Sequence, residues 1–565
     1  MPEINTRLWR VAFVTVPIAI AVAMFALESP PEVIKPPVPP DGFDTGLTIE
    51  LARELADSAQ EPRAGSKSDR VLGELVQARF AELDGVEVAE QRFSAGGKDL
   101  RNLIAVLPGN SERQVAVLAP RDVARGSGAA TSIASTAALI ELANVFSSAT
   151  RRKTLVFVST DGSSIGAAGA REFVSGYSDA DRLDAIIALS DPASGEPGPP
   201  LVVPWGNTPE STDSQLQRTA ADLVARETAI DAGSEEPLRE FSRLALPSGF
   251  GEQSPLVGDG LSAVRITSAG ERPSASSSEP DPDTLSGIGR GTLATLLALD
   301  AYVPELEHGP GAWVGVAGSL LPGWTFALFA LALLLPVALV ASSSLGAAAS
   351  SPQEALAAVG RPLIRWGLPP LVSLAVFYAL SLISLIPRPP FPFDPGAVSP
   401  GAGGWIGLAL SILSGLAFAR WQKTRRTGSG SAPPGDAAGA LTLGVCSTLL
   451  LWPFNPYLSV CLALALVVWI FAASSARRSR ISRIGVVCLG LLPLLGVIID
   501  LSGRVGWGLD LGWTLLFMVG DGQIPVGYAV LSILTLSAGV AIAFLPVDSR
   551  PPEVEAAGIV ENPYA

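Results

Sequence analysis

Long apolar runs constrain this chain more than any other feature. Residues 8–27, LWRVAFVTVPIAIAVAMFAL, are long enough to cross a bilayer as a helix. Further runs occupy 320–341, 364–386, 402–420, 438–452, 457–474, 484–500 and 524–545. Between the first run and the rest, residues 28–308 hold most of the Asp, Glu, Ser and Thr. The net charge of −14 belongs mainly to that stretch, and it excludes nucleic-acid binding, which needs a basic stripe. At 565 residues the chain is too long for one domain, so it divides into a water-facing part and a lipid-facing part.

Basic residues set the expected orientation. Arg7 and Arg10 sit at the amino side of the first run, so it is expected to enter from the cytoplasm. A cleaved signal peptide is the alternative, given the small residues near Ala21–Ala26. Arg361 and Arg365, then Arg420, Lys423, Arg425 and Arg426, then Arg477, Arg478, Arg480 and Arg483 fall in alternate loops. Loops 387–401 and 501–523 are poor in Lys and Arg. The pattern predicts about eight spans in a plasma membrane or its equivalent, with both termini cytoplasmic and residues 28–319 outside. Around 438–474, Trp452, Pro453, Asn455 and Pro456 mark either a short hairpin or a re-entrant turn. The expected divisions are an anchor (1–27), a Pro-rich stalk (28–44), an outer domain (45–308), a polytopic domain of about seven helices (320–545) and a cytoplasmic tail (546–565). All three cysteines, Cys446, Cys461 and Cys488, fall in apolar runs, so the outer domain must be held by its own core. Charges inside the runs are too few for an ion path, which argues against a transporter. Asp510, between Trp507 and Trp513, marks an interfacial segment or a lipid or partner groove.

Inside the outer domain, Leu47, Leu51 and Leu55 recur at fours, and Val71, Leu72, Leu75, Val76 and Phe80 form a second helical stripe. Strand-like runs occupy 86–93, 102–107, 115–119, 154–159, 186–189 and 263–267, with helical patterns at 131–147, from about 165, and at 284–306. Residues 204–216 and 270–284 read as loops. Strands alternating with helices imply an α/β domain, a mostly parallel central sheet flanked by helices. Such sheets bind ligands beyond the carboxyl ends of their strands, where 120–132, 161–164 and 190–192 converge.

Six segments in order carry a resemblance. They are RNLIAVLPG (101–109), VAVLAPRD (115–122), GAATSIASTAALIELA (128–143), KTLVFVSTDGSSIGAAGAREFV (153–174), IIALSDP (186–192) and GEQSPLVGDGLSAVRIT (251–267). Together they resemble the co-catalytic zinc aminopeptidase family, whose clan includes aminopeptidase Y and the transferrin-receptor ectodomain. The match covers less than a third of the chain. The resemblance implies an aminopeptidase-like fold and a set of zinc-ligand positions, and those positions depart from the family. Pro120 stands where the family has its first His. Thr131 takes the place of the bridging carboxylate, Ser163 and Ser164 those of the general-base and ligand glutamates, and Gln253 that of the last His. The remaining acidic ligand corresponds to Ser190, or to Asp191 one residue on. Zinc needs imidazole, thiolate or carboxylate donors, so no zinc or other cofactor is expected, and the domain is expected to be an inactive relative.

Asp122 and Asp161 remain at family positions that support ligands, and either cap helices and loop amides or join a polar pocket. That candidate pocket comprises Pro120, Arg121, Asp122, Thr131, Ser132, Asp161, Ser163, Ser164, Ser190, Asp191 and Gln253. A serine nucleophile at 163–164 would need an adjacent base, and the only histidine, His308, lies far along the chain near the membrane entry. One amino-terminal span, such a domain and about seven more spans together resemble in layout the Gaa-type scaffold subunit of the glycosylphosphatidylinositol transamidase. The expected role is to bind or scaffold a peptide, glycan or lipid-linked partner, in contact with the bilayer and with other membrane proteins. The alternative is a membrane-anchored peptidase or amide-transfer enzyme.

Overall fold

The computed structural model describes residues 6–123, 129–194, 200–233, 236–271, 279–307, 311–392, 400–425, 435–474, 479–505 and 508–546. His308, Arg426, Arg477, Arg478, Trp507 and the tail after 546 lie outside the described residues.

Among the described residues, seven strands form the central sheet: β1 (Glu87–Ala95), β2 (Lys98–Leu107), β3 (Gln114–Pro120), β4 (Thr154–Thr160), β5 (Leu183–Leu189), β6 (Leu201–Val203) and β7 (Ala263–Thr267). Their order is β1-β2-β4-β3-β5-β7-β6. The expected mostly parallel sheet is corrected to an evenly mixed one. The pairs β3–β4, β3–β5 and β5–β7 are parallel, while β1–β2, β2–β4 and β6–β7 are antiparallel. The antiparallel edge follows from Gly96 and Gly97, both at positive φ, which close a two-residue hairpin between Ala95 and Lys98. The short β6 went unread in the sequence because three residues show no period.

Both faces of the sheet are buried, and alternation sorts them. Val115, Val117 and Ala119 of β3 face one cluster with the helices Thr45–Ser58, Ala129–Ser147 and Pro282–Ala301. Ala116 and Leu118 face the other, with the helices Ala168–Gly176 and Gln253–Gly258. The helix Ser214–Thr228 begins inside the stretch 204–216 read as loop, and the helix Pro237–Ala245 follows it in a stretch the sequence left unassigned. The Pro-rich stalk runs extended but is packed: Ile34 is buried, and its amide donates to Thr219 Oγ1 at 3.1 Å.

The second half is helical. Among the described residues, six helices are long and apolar enough to cross a membrane: Leu8–Phe25, Trp324–Ala348, Pro352–Leu382, Gly401–Thr424, Pro456–Ala473 and Val526–Ala543. The pair Arg480–Gly490 and Leu492–Arg504, bent by 51°, makes a seventh if it counts as one span. Asp436–Leu451 is apolar but shorter, at 16 residues.

One end of these helices abuts the α/β domain. There Glu28 pairs with Leu320 on the second strand of the hairpin Trp313–Val316 and Ser319–Pro322. Arg171 donates to the Phe391 carbonyl at 2.8 Å, Asn455 to the Ala245 carbonyl at 3.0 Å, and Gln523 to the Pro247 carbonyl at 3.1 Å. The opposite end is marked by Trp9 against Phe471, Arg361 on Asp436 at 2.6 Å, and Trp366 stacked on Phe544. Arg480 lies over Phe544, and Arg483 donates to the Leu545 carbonyl at 2.6 Å. Asp436–Leu451 runs between these two ends despite its length, and so does the bent pair. The short helix Leu511–Asp521, unread in the sequence, stays at the domain end, where Trp513 meets Trp405 edge-on.

Candidate functional site

The carboxyl ends of β3 and β4 bring several of the sequence-predicted residues together. Pro120 closes β3, and its carbonyl accepts from the Ser135 and Thr136 hydroxyls, each at 3.2 Å. The next residue, Arg121, is completely buried and folds inward. Its Nε donates to Asp69 Oδ1 at 2.8 Å, and Nη2 lies 3.3 Å from Asp161 Oδ2. The same guanidinium donates to the carbonyls of Arg101 at 2.7 Å and Ser159 at 3.3 Å. One cation thus serves two buried carboxylates. Burial pushes the Asp161 carboxyl up, Arg121 opposes that rise, and Asp69 and Asp122 add to it.

Asp122 organises the turn after β4. It accepts from the Ser163 amide at 2.7 Å, the Ser164 amide at 2.9 Å and the Ser164 hydroxyl at 2.5 Å. Burial raises the Asp122 carboxyl, and these three bonds partly offset that. The arrangement is a carboxylate clamp on loop amides. Gly162 and Gly166 in this turn stand at positive φ, which a side chain there would strain.

The other positions are more scattered. Gln253 is fully buried, and its amide donates to the carbonyls of Phe250 at 2.9 Å and Trp205 at 3.3 Å. Ser190 is half-buried, and its amide donates to the Ile266 carbonyl at 3.1 Å. Asp191 is buried at φ 45°, and its carbonyl accepts from Ser268. Thr131 and Ser132 belong to the helix Ala129–Ser147, but their side chains lie outside the described residues. Lys153, just before β4, lies at the opposite pole of the sheet, 2.7 Å from Asp184, and so is no base for Ser163 or Ser164.

Sequence reasoning missed Glu252 and Asp69. Glu252 is buried beside the end of β4, where it accepts a short hydrogen bond from Thr160. Burial pushes its carboxyl up to about 8, against the Thr160 bond and with help from the Asp122 charge. A charged residue inside GEQSPL, next to the aligned position Gln253, was the available signal. Asp69 gave none, since one acid among the polar residues of a helix looks like a solvent-facing one.

This donor set does not suit a co-catalytic zinc pair. Pro120 offers no side-chain donor, Gln253 commits its amide nitrogen to carbonyls, and Asp161 is committed to Arg121. Among the described residues, no three His, Cys, Asp or Glu side chains gather as a metal set.

The carboxyl pole of the sheet is turned toward the helical half. A Cβ at Gly166 would lie 2.7 Å from the Phe391 carbonyl, so the segment after the helix Leu368–Leu382 rests directly on the 163–167 turn. Phe250, three residues before Gln253, packs its ring 5.9 Å from that of Phe391. Phe250 and Phe391 share one buried cluster with Phe377, Tyr457 and Phe517 of the helices.

No family model matches the chain. A 98-residue stretch is 38% identical to transferrin receptor protein 2 of Rattus norvegicus, covering 16% of this chain and 12% of that protein. The Homo sapiens protein is 37% identical over the same length. The chain therefore spans only 12% of the curated relatives it matches. Similar solved structures include a zinc aminopeptidase from Bacillus subtilis (TM-score 0.37, 11% identity, 47% of this chain and 98% of that one). LapB from Legionella pneumophila gives a TM-score of 0.38 at 13% identity, over 46% of this chain and 74% of that one. A glutaminyl cyclase from an Acidobacteriales bacterium gives 0.36 at 13%, over 48% and 98%.

Proposed function

We propose that this chain is a polytopic membrane protein whose α/β domain is a metal-free, non-hydrolytic relative of the zinc aminopeptidases. It binds or scaffolds a partner delivered from the bilayer, a peptide, glycan or lipid-linked chain. One observation carries this reading: the pole where such a sheet would hold its ligand is packed against the apolar helices, and its charged groups are spent on internal contacts. Arg121 holds Asp69 and Asp161, and Asp122 holds the 163–164 turn. The partial likeness to transferrin receptor protein 2 and the exchanged ligand positions point the same way. In this reading the domain lies outside the cytoplasm and both termini inside, because basic residues gather at the end of the helices away from the domain.

A second reading has a specific observation behind it. Ser164 is exposed and its hydroxyl sits on Asp122, a pairing that a serine hydrolase could use. The same carboxylate also accepts two backbone amides, so it serves the turn. Three measurements on the full chain in mild detergent separate the readings. We expect zinc far below one ion per chain, no fluorophosphonate labelling of Ser164, and a discrete co-purifying membrane partner. Stoichiometric zinc with chelator-sensitive aminopeptidase activity, or labelling abolished by Ser164→Ala, would reverse the conclusion.

A further inference from the structure

Two chambers share one face of the helix Trp324–Ala348. The first, about 390 Å³, lies where the α/β domain meets the helices and is lined by Glu210, Trp324, Ala327, Phe454 and Tyr457 among others. The second, about 500 Å³, is wholly apolar apart from Thr15 and lies between this helix, the helix Thr15–Phe25 and Leu449. The shared helix contributes Trp324 and Ala327 to the first chamber and Leu328, Leu331, Leu335 and Ala338 to the second. Steps of three and four residues place all of these on one stripe. From Trp324 to Ala338 the stripe runs about 21 Å at 1.5 Å per residue. That exceeds the roughly 15 Å of hydrocarbon in one leaflet, half of a bilayer core.

The chemistry of the first chamber selects charge. Trp324 and Phe454 line it and are each more than half exposed, and aromatic faces attract cations. Glu210 is exposed and has no ion-pair partner among the described residues. No Lys or Arg lines the chamber. The phenol of Tyr457 is buried, and its oxygen has no hydrogen-bond partner among the described residues. A ligand that satisfies all of this carries a cation for Glu210 and the rings, an acceptor oxygen for the Tyr457 hydroxyl, and an apolar chain for the groove below.

We propose that the two chambers form one binding site for a phospholipid whose headgroup ends in an ammonium. The ammonium lies against Glu210, Trp324 and Phe454. An ester or phosphate oxygen accepts from Tyr457, and one acyl chain follows the stripe past Leu331 and Leu335. An anionic headgroup would meet Glu210 as a like charge. Ordinary annular lipid, held by apolar contact alone, would show no such preference.

The test uses the full chain, exchanged into detergent to strip lipid and then offered dioleoyl phosphatidylethanolamine or dioleoyl phosphatidylglycerol. Retained lipid is counted by native mass spectrometry. One phosphatidylethanolamine per chain should be retained with roughly tenfold preference, the scale of a partly desolvated cation site. Glu210→Lys, a surface change that leaves the fold intact, should invert the preference. Leu331→Trp, which fills the groove, should abolish retention of both lipids while the Tm stays at the parent value. Equal retention of the two lipids, or a preference unchanged by Glu210→Lys, would overturn the proposal.

Discussion

At the scale of single residues, Glu252 is the group whose behaviour most directly reports the buried pole. Its carboxyl is held up to about 8 in the folded chain, against an ordinary value of 4.5. The sign follows from proton binding. Between those two values the folded state holds a proton that the unfolded state has released, so folding stability falls as pH rises. The contribution is complete below about 4.5, is lost by about 8, and has a slope of at most about 1.4 kcal/mol per pH unit. Glu252→Gln keeps the hydrogen-bond acceptor for Thr160 and removes the titration. Melting of that variant should therefore depend less on pH between 5 and 8 than melting of the parent, with the greatest gain at the alkaline end. An unchanged pH slope would place the proton elsewhere. The sequence marked the positions that differ from the zinc-ligand pattern it resembles, because each lies within one quoted segment. It did not disclose what the residues at those positions touch. Asp69 and Arg121 are 52 positions apart, and their pairing depends on a helix whose docking no local pattern announces.

At the scale of elements, periodicity found the strands of the sheet core and the longest helices, and failed where tertiary contact overrides composition. Helix Pro237–Ala245 is an example. It went unread in the sequence, yet Phe241 packs against Phe326 and Tyr457, and Glu240 accepts from the Gly315 amide. Asp436–Leu451 is another, since its 16 residues fall short of an ordinary span and left a hairpin or a re-entrant turn open. Its place is set by small residues instead. Thr442 and Thr448 return their hydroxyls to the helix's own carbonyls. Gly439 brings the helix against the helix Pro352–Pro362 so closely that a Cβ there would lie 2.1 Å from the Ala358 carbonyl. That neighbour is backbone and cannot turn aside. Gly439→Ala should therefore separate the two helices and cost about 1–3 kcal/mol, the usual penalty of overpacking. Thermal unfolding in detergent would show it as a lower Tm. The same substitution at Gly346, which has open space around it, should leave Tm within error.

At the scale of the whole molecule, the two halves constrain each other. Glu28 is bonded to Leu320, and Thr15 Oγ1 donates to the Ala332 carbonyl at 2.8 Å, so the amino-terminal helix lies antiparallel to the helix Trp324–Ala348. The contacts at Phe391, Asn455 and Gln523 bring three further turns to the domain. Arg361, Arg365, Arg420, Lys423, Arg480 and Arg483 lie in the helices Pro352–Leu382, Gly401–Arg425 and Arg480–Gly490, toward their ends away from the domain. If the helices cross a bilayer, every one of these basic residues must share one side and the α/β domain the other, and the positive-inside rule assigns that basic side to the cytoplasm. Single cysteines test this arrangement, in a chain with Cys446, Cys461 and Cys488 replaced by alanine. Ser94→Cys lies in exposed strand at the edge of the sheet, and Lys423→Cys at the exposed end of the helix Gly401–Arg425. A membrane-impermeant maleimide applied to intact cells should label the first and not the second, and permeabilisation should release the second to labelling. The inverse pattern would place the domain in the cytoplasm, and equal labelling of both in intact cells would mean that the helices do not separate two compartments. Only the expected pattern leaves the buried pole of the sheet facing a partner that arrives through the outer leaflet.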